Sequence, residues 1–594
     1  MSPLYTLPAK IRWLLFTVFF VLLILSGWRM LSMPLWGYWP MALLLGFWGC
    51  LLLIIFPKIV KTQTDLAHLG LSTLSAVLLW LGFPDMPFTP LLFVAFIPLL
   101  IIEDVQQLRY GKRSLLRIAF YSFHAFFLWN VLSTFWVANT AFFAGIFANV
   151  VNAGLMVIPM LAYHWLRRCS KDRFRWASLV VFWMMFEFNH LHWELTWPFL
   201  SLGNALGQYP SWAQWYSYTG ILGGTIWFLG GNALLYPIGL AWFKKEPVPS
   251  GPIVRGVTWF IIPLIISLVQ FYTYEPQGQE VEVAVVQPNF EPHYEKFEVP
   301  DEAQLQRFLT LSREVLNAET KYLVFPETSF GGFDYARLEE QPEVIALRAL
   351  LDSFPNCALI TGIDAYRFLK PEEDSPAKRA HTQAGSDTLW WEAANMAIQL
   401  SSGQPAQQYL KGKLVPGAEC TPYRWFFFFM EPLVDQLGGS LEGLRRSEER
   451  SVFEHKNTRV APVICYESVF GDYCNGYVQK GAQALAIITN DGWWDDTPGH
   501  RQHLMIGSLR AIESRREIIR SANTGISGII DQRGIIRNAT EYEETASFRD
   551  KVRMNDFITP YVIWGDFLGR VGGLTAAIFI LLGLYLSIKR WLGK

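Results

Sequence analysis

Three strand ends in the C-terminal half of this 594-residue chain carry side chains that could do chemistry together. "LVFPETSF" stops at Pro326 and presents Glu327. "YLKGKLVPGAE" offers Lys411, Lys413 and Glu419. "RVAPVICYESVFGDYC" runs through Val460 to Ile464 into Cys465, then turns polar at Tyr466 and Glu467, with a second cysteine at Cys474. A carboxylate, an ammonium and a thiol make an acyl-transfer site. The carboxylate can take the thiol proton as general base. A nearby cation lowers the thiol pKa and stabilises the oxyanion of a tetrahedral intermediate, to which the backbone N–H after the cysteine can also donate. Each residue alone has a plainer reading: a small buried thiol, an acid on a solvated turn, a surface lysine. The apolar run into Cys465 suits a core thiol as well as a nucleophile.

The elements that would position these residues follow from composition. The chain is 52% hydrophobic and only 17% charged, with 44 Phe and 25 Trp. Soluble domains average about 25% charged, and aromatic enrichment suits membrane interiors and interfaces. A net charge of -1 gives no sign of a nucleic-acid partner. Six cysteines, with no zinc-type CxxC pair, are too few for a disulfide scaffold.

A bilayer-crossing helix needs about 20 mostly apolar residues. Nine candidates precede residue 275: roughly 11–29, 36–57, 67–84, 88–103, 115–138, 140–166, 176–194, 218–243 and 256–274. A tenth lies at 570–588. The first has basic residues before it and no clear small-x-small cleavage site, so it reads as a retained helix rather than a signal peptide. With the N-terminus cytoplasmic, Lys58 and Lys61, the 109–117 and 167–175 basic runs, Lys244, Lys245, Arg255 and the C-terminal Lys589 and Arg590 all fall inside, as the positive-inside rule requires. The opposite loops, such as "PDMPFTP" and "NHLHWELTWPF", hold almost no Lys or Arg. This expectation divides the chain into a membrane domain (1–275), a domain on the outer side (276–560), and a last membrane helix with a cytoplasmic tail (561–594).

The outer region reads as α/β. Strands are expected at 282–287, 322–326, 357–363, 396–400, 460–466, 484–489 and 525–531, and helices at 301–317 and 500–520. Several strands are continuously apolar, as in a sheet covered on both faces.

The order "VAVVQPN", "FPET", "YLKGKLVPGAE", "VICYES", "ITNDGWW", "RAIESRREIIRSANTGISGIID" resembles the carbon–nitrogen hydrolase (nitrilase) superfamily, with its Glu–Lys–Cys triad. More closely, with the membrane segment "LLWLGFPDMPFTPLLFVAFIPLL", the chain resembles the apolipoprotein N-acyltransferase family of the bacterial inner membrane. The resemblance covers about residue 67 to the end. It implies a polytopic α-helical membrane bundle plus an α/β nitrilase-like four-layer αββα sandwich facing the periplasm. Glu327 would be the general base, Lys411 (not Lys413) the triad lysine and Cys465 the nucleophile. Glu419, Tyr466 and Glu467 would support the site, and Trp493 would stand at the substrate entrance. The family's Pro-Phe-Gly-Glu is "PGAE" here, so the loop bearing Glu419 is expected to differ in shape.

The resemblance also implies a reaction without metal or cofactor. An acyl chain passes from the sn-1 position of a membrane phospholipid, through a Cys465 thioester, to the α-amine of a diacylglyceryl apolipoprotein. A membrane-tethered amidase of the same superfamily is the nearest alternative. A transporter with an extracellular domain is a remote one, opposed by the lack of paired buried charges in the spans. His124, Glu187, His190 and Glu194 are the nearest candidates for such charges, and the last three read as structural or interfacial. The aromatic run "YRWFFFFMEPL" (423–433) is expected either to dip toward the membrane over an acyl chain or to form a buried helix. The spans 11–29 and 36–57 lie outside the resemblance.

Overall fold

The computed structural model describes residues 7–593 apart from 248–249, 297, 382–387 and 428–442. Among the described residues, nine helices are long and apolar enough to cross a membrane. Eight precede residue 275, and Phe567–Trp591 follows the α/β region. The expected span at 176–194 is the helix Arg175–His192, which packs within the bundle but is not among those nine. Glu187, His190 and His192 dilute its apolar character. Most of the aromatic run at 423–433 lies outside the described residues; Trp425 and Phe426, at its start, are exposed.

The expectation of no paired buried charges in the spans is overturned. His164 Nδ1 lies 2.6 Å from Glu103 Oε1, and Arg167 pairs with the other oxygen of that carboxylate. Asp104 pairs with Arg167 (2.5 Å) and Arg175 (2.9 Å). The partners come from three helices, Ile97–Tyr110, Phe142–Ser170 and Arg175–His192, so no local pattern reveals them. They form a fully paired knot where the basic loops lie, at the end of the bundle away from the α/β region. Buried charges are tolerated only when paired in this way. His124 is equally committed, taking a bond from Trp48 Nε1 at 3.0 Å. Glu187 accepts from Trp183 Nε1 (2.8 Å), the Leu202 N–H (2.9 Å) and Thr225 Oγ1 (2.5 Å), which makes it a structural acceptor.

Among the described residues, the α/β region holds fourteen strands in two sheets. They are β1 (Gln279–Gln287), β2 (Thr320–Val324), β3 (Phe330–Asp334), β4 (Ala358–Leu369), β5 (Arg379–His381), β6 (Leu389–Ser401), β7 (Gln404–Leu410), β8 (Phe453–His455), β9 (Thr458–Ile464), β10 (Ala484–Thr489), β11 (Glu517–Ala522), β12 (Gly528–Ile530), β13 (Ile536–Arg537) and β14 (Ala546–Met554). One sheet runs β14-β1-β2-β4-β6-β5, with β3 on β4 and β7 on β6; the other runs β13-β12-β11-β10-β9-β8.

The faces of the sheets show why they stack. Val283, Val285, Tyr322, Val324 and Ile360 of the first pack against Val463, Ile487 and Ile519 of the second in one core. The alternate residues Ala284, Val286, Leu323 and Leu359 pack outward on the helices Asp301–Val315 and Pro342–Asp352. Helices Gly471–Gln479 and Pro498–Ser514 cover the second sheet. The result is a four-layer αββα sandwich, and strands buried on both faces account for the continuously apolar runs. One expectation fails: the helix at 500–520 ends at Ser514, and Glu517–Ala522 is a strand. Arg515 sits in the left-handed region (φ 53°) and breaks the helix there, while Arg516 and Arg520 make a buried strand look like a polar helix face.

Loops at one end of the bundle dock on this sandwich. Asp85 pairs with Arg501 at 3.0 Å, Gln214 Oε1 accepts from Arg515 Nη1 at 2.7 Å, and the Thr196 carbonyl accepts from the Tyr466 hydroxyl at 2.9 Å.

Candidate active site

Glu327, Lys411 and Cys465 come from three strand ends and meet at the rim of the two sheets. Glu327 follows β2 on a tight turn. Gly362 of β4 clamps that turn from both sides, donating its N–H to Pro326 O (3.0 Å) and accepting from Ser329 N–H at 2.8 Å. A Cβ at Gly362 would stand 2.6 Å from the Glu327 Cα, so only glycine allows this approach. Lys411 follows β7, and its N–H donates to Asn395 O at 2.9 Å. Cys465 follows β9 and opens a one-turn helix, Cys465–Val469. Its φ of 45° is left-handed, a conformation that non-glycine residues seldom adopt and that clusters at functional sites.

Below this turn, Ser468 Oγ donates to Cys465 O at 2.7 Å. His503 Nε2 lies 3.2 Å from the same oxygen, and its Nδ1 lies 3.0 Å from Asp491 Oδ1. Burial would raise the Asp491 carboxyl, but Arg520 and His503 hold it well below the usual carboxylate range.

Lys411 is 1% exposed. Its Nζ donates to Glu327 Oε1 (2.9 Å) and to Glu419 Oε1 (2.7 Å). An ammonium has three donors, so one N–H remains for a developing oxyanion. Burial disfavours the Lys411 cation, yet Glu327, Glu419 and Cys465 raise its pKa well above the ordinary lysine value. The Cys465 thiol is also pushed well up, by burial first and then by Glu327, against the pull of Lys411 and a hydrogen bond with Thr489. Deprotonating this thiol therefore needs the help of a base, and Glu327 is the carboxyl whose charge acts on it most.

The other expected residues take distinct places. Glu419 reaches Lys411 despite the "PGAE" loop, and its second oxygen accepts from Val415 N–H at 2.8 Å. Glu467 sits behind Cys465, accepting from Ile464 N–H (2.8 Å) and Gly412 N–H (2.7 Å), and so ties the Cys465 strand to the Lys411 loop. Tyr466 points to the membrane domain through Thr196. Lys413 stands apart from the three, over the rings of Phe470 and Tyr473. Cys474 is buried against the Glu467 carbonyl, and the described cysteines are all free.

Three site residues escaped the sequence reading. Asn395 Nδ2 donates to Glu327 Oε1 at 2.8 Å and Glu419 Oε1 at 3.2 Å. Asp364 lies opposite it across the β4–β6 pairing. Burial pushes the Asp364 carboxyl up to about 6; Lys296 opposes that shift and Glu327 adds to it. Lys296 is buried and donates to Thr328 Oγ1 at 2.5 Å. Asn395 and Asp364 are polar residues next to continuously apolar stretches, a signal available in the sequence. Lys296 lies in an irregular polar loop that carries no such signal.

Cys465, Lys411 and Glu327 open into a cavity of about 1050 Å³. Trp493 and Trp494 line its α/β side, while Trp136, Phe147, Leu155 and Phe199 line it from the bundle. Single ligand pockets run about 300–1,000 Å³, so this one is large, and it is shared between a hydrolase-like sandwich and membrane helices.

A Glu–Lys–Cys cluster on an αββα sandwich defines a carbon–nitrogen hydrolase of the nitrilase type, and residues 282–550 match the Carbon-nitrogen hydrolase family model. Residues 75–234 match the model of the Apolipoprotein N-acyltransferase N-terminal domain. The chain belongs to the apolipoprotein N-acyltransferase family, within the nitrilase superfamily. It is 27% identical to the apolipoprotein N-acyltransferase of Chlorobaculum tepidum, over 84% of this chain and 93% of that one. It is 24% identical to that of Geobacter metallireducens, over 84% and 91%. Among solved structures, Nit3 of Saccharomyces cerevisiae is 18% identical with a TM-score of 0.33, over 47% of this chain and 92% of that one.

Proposed function

We propose that this protein transfers an acyl chain from the sn-1 position of a membrane phospholipid to the α-amine of a diacylglyceryl-cysteine at the N-terminus of an apolipoprotein. The observation that carries the reading is the position of the thiol. Cys465, with its base and cation, opens into an apolar cavity walled by membrane helices. A hydrolase of small soluble amides needs no such wall.

In the first half-reaction, Cys465 Sγ attacks the ester carbonyl and its proton passes to Glu327. Lys411 Nζ and the backbone N–H of Tyr466 take the oxyanion. The C–O bond to glycerol then breaks, Glu327 returns the proton to the leaving oxygen, and a lysophospholipid departs. Cys465 is left as a thioester. In the second half-reaction, the lipoprotein amine attacks the thioester carbonyl and gives a proton to Glu327. The C–S bond breaks, the sulfur takes the proton back, and the N-acylated lipoprotein leaves. Glu419 and Asn395 hold Glu327 and Lys411 in register. Trp493 flanks the way in.

The loop charges support a bacterial inner-membrane location, with both termini cytoplasmic and the catalytic domain, about 276–560, in the periplasm. The loops that touch the sandwich carry few Lys or Arg, and the opposite loops carry many. Both substrates are then confined to the membrane surface where the site sits, which raises their effective concentration.

Intact-mass measurement of the purified protein mixed with phospholipid tests the reading. The expected result is one acyl adduct on Cys465, absent in Cys465→Ala and discharged by a diacylated lipopeptide. An adduct that only water discharges would make the protein a lipid amidase or esterase instead.

A further inference from the structure

We propose that the N-terminal helix pair, Ala9–Ser32 and Trp39–Ile59, forms the lateral wall of the acyl-chain cavity and sets the chain length accepted there. The inference rests on the reading above, that an acyl chain occupies this cavity.

The pair lies outside both matched family regions, which begin at residue 75. Its own residues nevertheless line the cavity that holds Cys465: Gly27, Met30 and Leu31 from the first helix, Trp36 from the turn and Leu43 from the second helix. Met30 is buried, whereas Leu31 beside it is 91% exposed, so the wall runs from the cavity to its lipid-facing rim.

The pair is docked at defined points. Gly37 N–H donates to Asp495 Oδ2 at 2.8 Å, and Gly37 O accepts from Asn139 Nδ2 at 3.2 Å. Gly37 has a φ of 52°, which suits glycine at this turn. Trp36 meets Phe142 edge-on at 5.9 Å, and Trp48 donates to His124 deeper in the bundle. Asp495 follows Trp493 and Trp494, so the turn is tied to the loop that forms the catalytic-domain side of the same cavity. The helices also touch closely: a Cβ at Gly46 would stand 2.9 Å from Leu23 N. An occupant therefore meets a fixed apolar surface rather than loose lipid.

Gly27 offers a clean probe, because a Cβ there meets only Leu43 Cδ1, at 3.8 Å. A large side chain at Gly27 fills cavity space without a backbone clash. Ile24, on the same helix, is 55% exposed and does not line the cavity, so Ile24→Phe is the control.

The full-length protein in nanodiscs is offered phospholipids of mixed sn-1 chain length, and the Cys465 adducts are read by intact mass. Gly27→Phe is expected to shift the ratio of short to long adducts about tenfold toward short chains, the least that one methylene changes in an apolar pocket. Leu43→Ala shifts the ratio toward long chains, and Ile24→Phe leaves it unchanged. A second measurement uses a phospholipid with a diazirine at the end of its sn-1 chain. Crosslinks within residues 27–43, lost on adding unlabelled phospholipid, support the wall even if one variant fails to fold. Adducts with the wild-type profile in both cavity variants, together with crosslinks only outside residues 9–59, would overturn the inference and leave the acyltransferase reading standing. Crosslinks to the pair without any Cys465 adduct would instead sink that reading and leave a lipid site.

Discussion

Replacing Glu327 by Gln is expected to make Cys465 a poorer enzyme nucleophile and a more easily alkylated thiol at once. The carboxylate does two opposed things. In the proposed mechanism it removes the thiol proton as general base, a contribution of about 10²–10⁴ in rate. As a buried negative charge it raises the thiol pKa, second only to burial itself. The amide keeps the shape and an oxygen for Lys411 and Asn395, but it has neither basicity nor charge. Adduct formation with phospholipid should therefore fall by about two orders of magnitude or more. Iodoacetamide reacts with the thiolate, so the pH at which alkylation sets in follows the thiol pKa. Its onset should move to lower pH than in the unmodified protein.

Lys411→Met provides the opposite sign. It removes the cation that lowers the thiol pKa, so alkylation should begin at higher pH while acyl transfer falls too. The measurement is the pH dependence of alkylation, followed by mass, for the three proteins. If the Glu327→Gln profile did not move, or moved upward, the charge coupling between Glu327 and Cys465 would be wrong. A structural carboxylate far from the sulfur would leave the profile in place.

The reading of the sequence succeeded where the physics is local. Strands buried on both faces betray themselves as unbroken apolar runs, and β9 and β10 were found that way. Glu327 and Cys465 each end such a run, so their position on a sheet rim is legible; Lys411 follows the polar strand β7, QPAQQYL, which no apolar run marks. It failed where a residue's state depends on distant partners. Arg516 and Arg520 read as helix surface because nothing nearby shows the buried carbonyl of Ala482 at 2.7 Å from Arg516 Nε, or Asp491 beside Arg520. The same is true of Glu103 and Arg167 inside the bundle, whose separate helices meet only after folding. Lys296 sits in an irregular loop, and only the fold turns it into a buried cation beside Thr328. The residues of the first two helices that line the cavity, such as Gly27, Met30 and Leu43, are apolar or glycine like the rest of a membrane span, so nothing in them pointed to it.

Glu467 shows how a residue beside Cys465 can matter through the segments it ties together, and its removal should give a large stability effect. One oxygen accepts from Tyr409 OH (2.6 Å) and Gly412 N–H (2.7 Å); the other accepts from Ile464 N–H (2.8 Å) and Tyr477 OH (3.3 Å). Burial raises this carboxyl above the ordinary range, while Tyr409 and the two backbone donors pull it back. Glu467→Leu would strand those donors in a core that excludes water. Each stranded group costs about 1–3 kcal/mol. Tyr409 OH keeps Tyr473 OH as a partner at 2.8 Å, but two backbone N–H groups and the Tyr477 hydroxyl together still cost a large share of the stability of a typical domain, about 5–15 kcal/mol. Glu467→Leu is expected not to accumulate as folded protein. Glu467→Gln keeps one acceptor oxygen and sets its NH₂ against the donors on the other side, so it should fold with a lowered Tm. Its Cys465 turn and Lys411 loop are then no longer tied together. Residual acyl transfer per folded molecule should fall, with the alkylation profile of Cys465 nearly unchanged, because burial, Glu327 and Lys411 lead the shift of that thiol. Thermal unfolding of the detergent-solubilised protein and alkylation by mass check both halves. A Glu467→Leu protein that folds with the original Tm would show that this carboxylate does not hold the two site-bearing segments together.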